Sequence, residues 1–157
     1  MKTLQNFSFG GPAALVTSMA LIVGLEAATV QKAAVVTGLL IIGIADNLTD
    51  SLSVHIYQES ERLAQRDAFR TTVANFFTRL FVCLSFIAIL VVLPPASAIP
   101  ASLIWGFTLL AVLSYFLAKA RGASPVSEIL KHCAVAFAVI AISKAIGAWL
   151  PTAIGSL

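Results

Sequence analysis

The stretch GLLIIGIADNLTDSLSVHIYQESE, residues 38–61, begins as an apolar run and then fills with acids, amides and hydroxyls. Its apolar part belongs to one of five segments of roughly 20 mostly apolar residues, the length at which a helix crosses the hydrocarbon core of a bilayer. They are Gly10–Val30, Ala33–Tyr57, Val73–Leu93, Ala101–Ala118 and Pro125–Leu150. Over all 157 residues 59% are hydrophobic, 11% are charged and the mean hydropathy is +0.97, far from the composition of soluble chains. The sequence therefore predicts an all-α integral membrane protein, one domain over 1–157 with five transmembrane helices. The links between the apolar runs are too short to hold a separate soluble domain.

Breakers stand near the expected boundaries. Pro12 lies near the start of the first helix, Pro94 and Pro95 end the third, Pro100 opens the fourth and Pro151 closes the fifth, while Ser124 and Pro125 read as cap and first-turn proline. The start of the chain has one lysine and a span-length apolar run without a small-residue cleavage site, so the first helix is expected to stay.

The net charge of +3 does not point to nucleic acid, because the basic residues are spread between apolar segments instead of gathered on one face. They report topology. Lys2, Arg62, Arg66, Arg70, Lys119, Arg121 and Lys131 fall on one side of the five-span layout and Lys32 alone on the other. The positive-inside rule then places the N-terminus in the cytoplasm and the C-terminus outside or in a lumen; a membrane of the bacterial inner type is the expectation. Arg79, a turn or two inside the third helix, is expected to snorkel toward the basic side. Cys83 and Cys133 lie inside apolar runs and offer neither a disulfide framework nor a CxxC pattern, which leaves them packing roles. The polar segment 58–72 consists of good helix formers, so helix two is expected to extend into the cytoplasm for two or three turns, carrying Glu59, Glu61 and Asp67.

At about 100° per residue, Asp46, Thr49, Asp50, Ser53 and Tyr57 share a stripe of helix two, with Asn47, Ser51, His55 and Gln58 on a neighbouring flank. One aspartate at a transmembrane helix centre costs about 2.5–3.5 kcal/mol, so a basic residue, a proton or a cation must offset the pair. Two candidates supply internal positive charge, Lys144 in the fifth helix and Arg79 in the third, and pairing with them would lock helices together. The other reading is a site or path. The oxygens of Asp46, Asn47, Asp50 and Ser53 suit a hard or borderline divalent cation such as Fe²⁺ or Mn²⁺, and two neighbouring carboxylates share a proton that a metal would displace. Glu59, Glu61, His55 and Met19 are weaker ligand candidates, His55 also as a proton relay and Met19 also as ordinary core. Glu26 and Lys32 belong to the outer hairpin and are expected to face water or headgroups.

An enzyme is not indicated. Ser53, His55 and Asp50 point to different sides of a helix and cannot form a nucleophile–base set, and GxSxG and HExxH are absent. DNLTD shares the DxxxD spacing of membrane phosphatidyl-group transferases without that signature's other residues.

ALIVGLEAA at residues 20–28, LSVHIYQESE at 52–61 and FLAKARGASPVSEILKHCAVAFAVIAISKAIGAWL at 116–150 are together similar to the vacuolar iron transporter family. That resemblance implies a five-helix protomer, a homodimer joined through helices one and two, and export of Fe²⁺ or Mn²⁺ in exchange for protons. Laid against the family without gaps from about Pro12 to Glu61, the family's helix-one metal aspartate falls on Ala13, its helix-two glutamate on Ile42 and its helix-two methionine on Asp50. The family's ligand set is thus absent and Asp46 and Asn47 stand where the family has small residues. The expectation is a divalent-cation transporter with a relocated site, partnered by lipid, protons and a second copy of itself; the alternative is a non-transporting scaffold or regulatory subunit with an ion-paired polar core.

Overall fold

A computed structural model describes the backbone of residues 2–28, 31–60 and 65–155, and side chains from residue 10 in the first helix and 69 in the third. The helices are α1 (Lys2–Ala27), α2 (Lys32–Ser60), α3 (Gln65–Val92), α4 (Pro95–Arg121) and α5 (Pro125–Ile154). Each is long and apolar enough to cross a bilayer.

α1 is the hub. It packs on all four other helices, and α2, α3, α4 and α5 follow one another around it, each against the next. The central layer comprises Leu15, Met19 and Ile22 of α1, Leu39 of α2, Phe86 of α3, Leu110 of α4 and Ala136 of α5, all at most 2% exposed. Outward-facing positions carry large apolar residues such as Ile41, Leu48, Phe81, Ile104, Phe137 and Trp149, the inverse of a soluble bundle. Small residues set the closest approach of α1 and α5. Gly24 and Gly147 meet there, with no room for a methyl group on Gly147 beside the Gly24 carbonyl.

The expected boundaries need correction. Every helix is longer than its apolar segment, because the flanking residues, polar or not, continue the helical hydrogen bonding. Pro100 does not open α4, which starts at Pro95, and Pro151 does not close α5, which runs on to Ile154. Each proline removes only one N–H donor, near a helix end, and sits exposed. α3 ends at Val92, just before Pro94 and Pro95, as expected, but the pair also starts the next helix: Pro94 is the extended cap residue and Pro95 the first residue of α4. Ser124 occupies the cap position of α5 without a side-chain bond, and its carbonyl accepts the Glu128 N–H at 3.2 Å. The expected extension of helix two is also corrected: α2 ends at Ser60, and from Gln65 the polar segment belongs to α3. Gly122 ends α4 with φ +69°, and the next N–H, of Ala123, reaches back to the Ala118 carbonyl at 2.9 Å.

Lys32 does not face water alone as expected. Its ammonium donates to the carbonyls of Val91 (3.2 Å) and Leu93 (3.0 Å), capping the negative end of α3. Lys32→Met should lower the thermal midpoint in detergent by the equivalent of about 1 kcal/mol; an unchanged midpoint would show that solvent satisfies those carbonyls equally well.

Candidate functional site

The polar residues of α2 meet α3 along one seam, and its centre is Arg79. This side chain is 2% exposed and does not snorkel; it points into the junction of α1, α2 and α3. Its Nη2 donates to Asp46 Oδ2 at 2.5 Å, its Nη1 to Asp50 Oδ2 and to the Gly10 carbonyl (3.4 Å), and its Nε to Asn47 Oδ1 at 2.8 Å. A planar guanidinium with donors on three nitrogens can serve four acceptors at once, which a lysine cannot. The fit depends on Gly10, where a side chain would overlap both Arg79 and Asn75.

The sequence-predicted residues divide accordingly. Asp46, Asn47 and Asp50 are brought together, but around Arg79. Asn47 is 3% exposed and saturated: Oδ1 accepts from Arg79 and Nδ2 donates to the Gly43 carbonyl, which removes it as a free metal ligand. The two aspartate side chains are 44% and 45% exposed, with Arg79 on one side and the uncovered face of α2 on the other. Ser53 is on that exposed face and donates to the Thr49 carbonyl at 3.0 Å, as Thr49 does to Ala45 at 2.9 Å. The stripe drawn from helical periodicity is thus the rim, while its flank, Asn47, Ser51 and Gln58, is the buried side.

Other expectations are corrected. Lys144 is exposed on α5, which packs against α1 and α4, so it cannot share the carboxylates with Arg79. Met19 is fully buried against Gly106 and Phe86, as core. Glu59 is exposed and His55 Nε2 lies 3.4 Å from its Oε1, apart from the aspartates; Glu61 and Asp67 lie outside the described side chains. Among the described residues no three His, Cys, Asp or Glu side chains gather as a metal-ligand group. Cys83 and Cys133 are free; Cys83 is buried and its thiol donates to the Leu39 carbonyl at 3.1 Å.

Two features were not read from the sequence. Asn75, 1% exposed, donates to Ser51 Oγ at 3.4 Å, one turn from Arg79 toward the α2–α3 junction. The polar residues Thr71, Asn75 and Arg79 recur every fourth residue through α3 and could have been found as a helical stripe. The second is an open apolar groove of about 560 Å³ between α1 and α5, lined by Leu21, Gly24, Ser143, Ile146, Gly147 and Leu150, away from the carboxylates.

Chemically, two carboxylates face one guanidinium, which leaves one negative charge. No known protein family, curated protein or solved structure matches this chain.

Proposed function

We propose that the protein is a multi-pass carrier of the bacterial inner-membrane type that exchanges a divalent cation of the Fe²⁺/Mn²⁺ class for protons. The observation that carries the reading is the imbalance at Arg79: Asp46 and Asp50 share a single counter-charge, and both remain half open on a face of α2 that nothing among the described residues covers. A purely structural pair would be favoured at one to one, because each unbalanced carboxylate at lipid depth costs about 2.5–3.5 kcal/mol. An exchangeable charge removes that cost. Two copies joined across this face, with α1 at its border, would bring together a net charge of minus two, which one divalent cation or two protons neutralise. The oxygens of Asp46 and Asp50 are the donors such a cation prefers, with water completing its shell. The exposed Arg70, Lys119, Arg121 and Lys131 at one end of the bundle support a cytoplasmic N-terminus.

The test is flux of Mn²⁺ or Fe²⁺ in reconstituted vesicles under a proton gradient. Wild type is expected to move metal with protons in the opposite sense, and Asp50→Asn, which leaves Asp46 balanced one to one by Arg79, should fall to the level of empty vesicles. Equal flux in wild type, variant and empty vesicles would remove the carrier reading.

A second reading has its own observation. Every donor nitrogen of Arg79 is engaged and the side chain is buried, as in a cluster that pins α1, α2 and α3 together. On that reading the protein is a non-transporting scaffold or regulatory subunit, and Asp50→Asn changes assembly without any flux to lose.

A further inference from the structure

The groove between α1 and α5 lies at the end of the bundle where α1 turns into α2, opposite the end that carries Arg70, Lys119, Arg121 and Lys131. Its walls are almost wholly apolar, with Leu21 on α1 facing Ile146 and Leu150 on α5, and one side is open. Such a channel takes an apolar chain in preference to water.

Two polar groups stand beside it, and neither is used by the fold. Ser143 lines the groove, and its hydroxyl has no hydrogen bond among the described residues, whereas Thr49, Ser53, Thr108 and Ser114 each donate to a carbonyl one turn back on their own helix. Lys144, the next residue, is exposed and has no hydrogen bond or ion pair among the described residues, whereas Lys32, Arg79 and Lys131 all have partners. At about 100° per residue Lys144 is in line with Pro151, two turns further along the same wall, which places it at the rim of the groove.

Packing sets its level. Gly24 faces the α5 backbone between Ser143 and Gly147, and α1 ends three residues later at Ala27. At about 1.5 Å per residue, Lys144 is only about 5 Å short of the end of α1, a distance that its four-carbon stem covers. In a bilayer spanned by α1 the ammonium reaches headgroup depth, while the groove continues past Leu21 toward the acyl chains.

We propose that the α1–α5 groove binds one anionic phospholipid of the leaflet at that end, with an acyl chain against Leu21, Ile146 and Leu150 and the phosphate on the Lys144 ammonium and the Ser143 hydroxyl. Phosphate oxygens accept from both donors, and the charge–charge bond is the stronger of the two. A second copy of the chain fits this place less well. Of the described acids, Glu26 is at the right end but about half a turn around α1 from Leu21, Gly24 and Ala28, which line the groove. Asp46 is eight residues beyond Gly38, which packs on Leu21 and Leu25, and so about 12 Å deeper. The lipid site does not depend on the carrier reading.

Native mass spectrometry of the detergent-solubilised protein, with dioleoyl phosphatidylglycerol or dioleoyl phosphatidylcholine added, tests it. Lipid held at the basic end is common to all the variants, so the readout is a difference between them. Wild type is expected to hold one phosphatidylglycerol per chain that Lys144→Met holds roughly fivefold or more weakly, and the two should bind phosphatidylcholine equally. Lys144 is exposed, so its replacement leaves the bundle intact, and Lys144→Arg should retain the lipid. Ile146→Trp, which fills the groove from an exposed position, should release it as well. Glycerol phosphate, the headgroup without its chains, should not displace it. Equal phosphatidylglycerol binding by wild type and Lys144→Met, or displacement by glycerol phosphate, would overturn the site, as would a dimer that Ile146→Trp dissolves with no lipid lost. A Lys144-dependent lipid that survives Ile146→Trp would overturn the part given to the groove.

Discussion

Arg79→Met is expected to yield almost no folded protein, and adding Asp46→Asn and Asp50→Asn to the same chain should recover most of it. Taking one partner from a buried ion pair costs about 3–5 kcal/mol, because the remaining charge keeps its desolvation and loses its company. Here one substitution leaves two carboxylates and the Asn47 and Gly10 oxygens without their donor. The loss is comparable to the whole stability of many domains. Neutralising both acids removes the cause without restoring the guanidinium. Arg79→Lys should fall between, since a single ammonium cannot serve four acceptors spread over two helices. The measurements are monodisperse yield and thermal midpoint in detergent for the two single variants and the triple variant. A single variant as stable as wild type, or a triple variant no better than the single, would show that the cluster does not organise the bundle.

Gly147→Ala should be the most damaging of the conservative glycine substitutions, and its cost should far exceed that of Gly24→Ala at the same crossing. The new methyl group on α5 would land on the backbone carbonyl of Gly24, which has no rotamer to change, so the two helices must separate. Overpacking of this kind costs about 1–3 kcal/mol, and helix separation also disrupts neighbouring contacts of α1 with α5. At Gly24 the added methyl group meets the Ser143 carbonyl oxygen at 3.2 Å and its Cβ at 3.3 Å, where a few tenths of an ångström suffice. Thermal midpoints of the two variants decide it; equal losses would mean that α5 is held elsewhere. Gly122→Ala makes a useful contrast, because space there is open and the strain is confined to φ +69°, a penalty of about 1–2 kcal/mol.

Much of this molecule was legible in one dimension. The five apolar segments became five helices because a run of some 20 apolar residues has few other ways to satisfy its backbone away from water. Pro94–Pro95 and the glycine after the basic turn at Lys119–Arg121 marked the ends of helices through the torsions they allow. Helix lengths were less legible, because Lys2–Phe9 and the residues around Gln65 are polar and helical at once, and hydropathy does not register a helix that leaves the apolar layer.

The aspartates announced themselves by their cost, and their need for positive company followed from hydropathy and charge alone. Which cation answers that need did not. Lys144 and Arg79 are both basic residues in apolar runs, and only the order of helices around α1 separates them: α3 lies against α2 and brings Arg79 to the carboxylates, while α5 lies on α1 and α4 and leaves Lys144 outside. Periodicity likewise grouped Asp46 with Asp50 but could not say which side of α2 is covered, since that depends on neighbours distant in the chain. Local sequence determines how each helix forms and what it cannot leave uncompensated; the compensation itself is a contact across 29 to 33 residues, and only tertiary packing makes it.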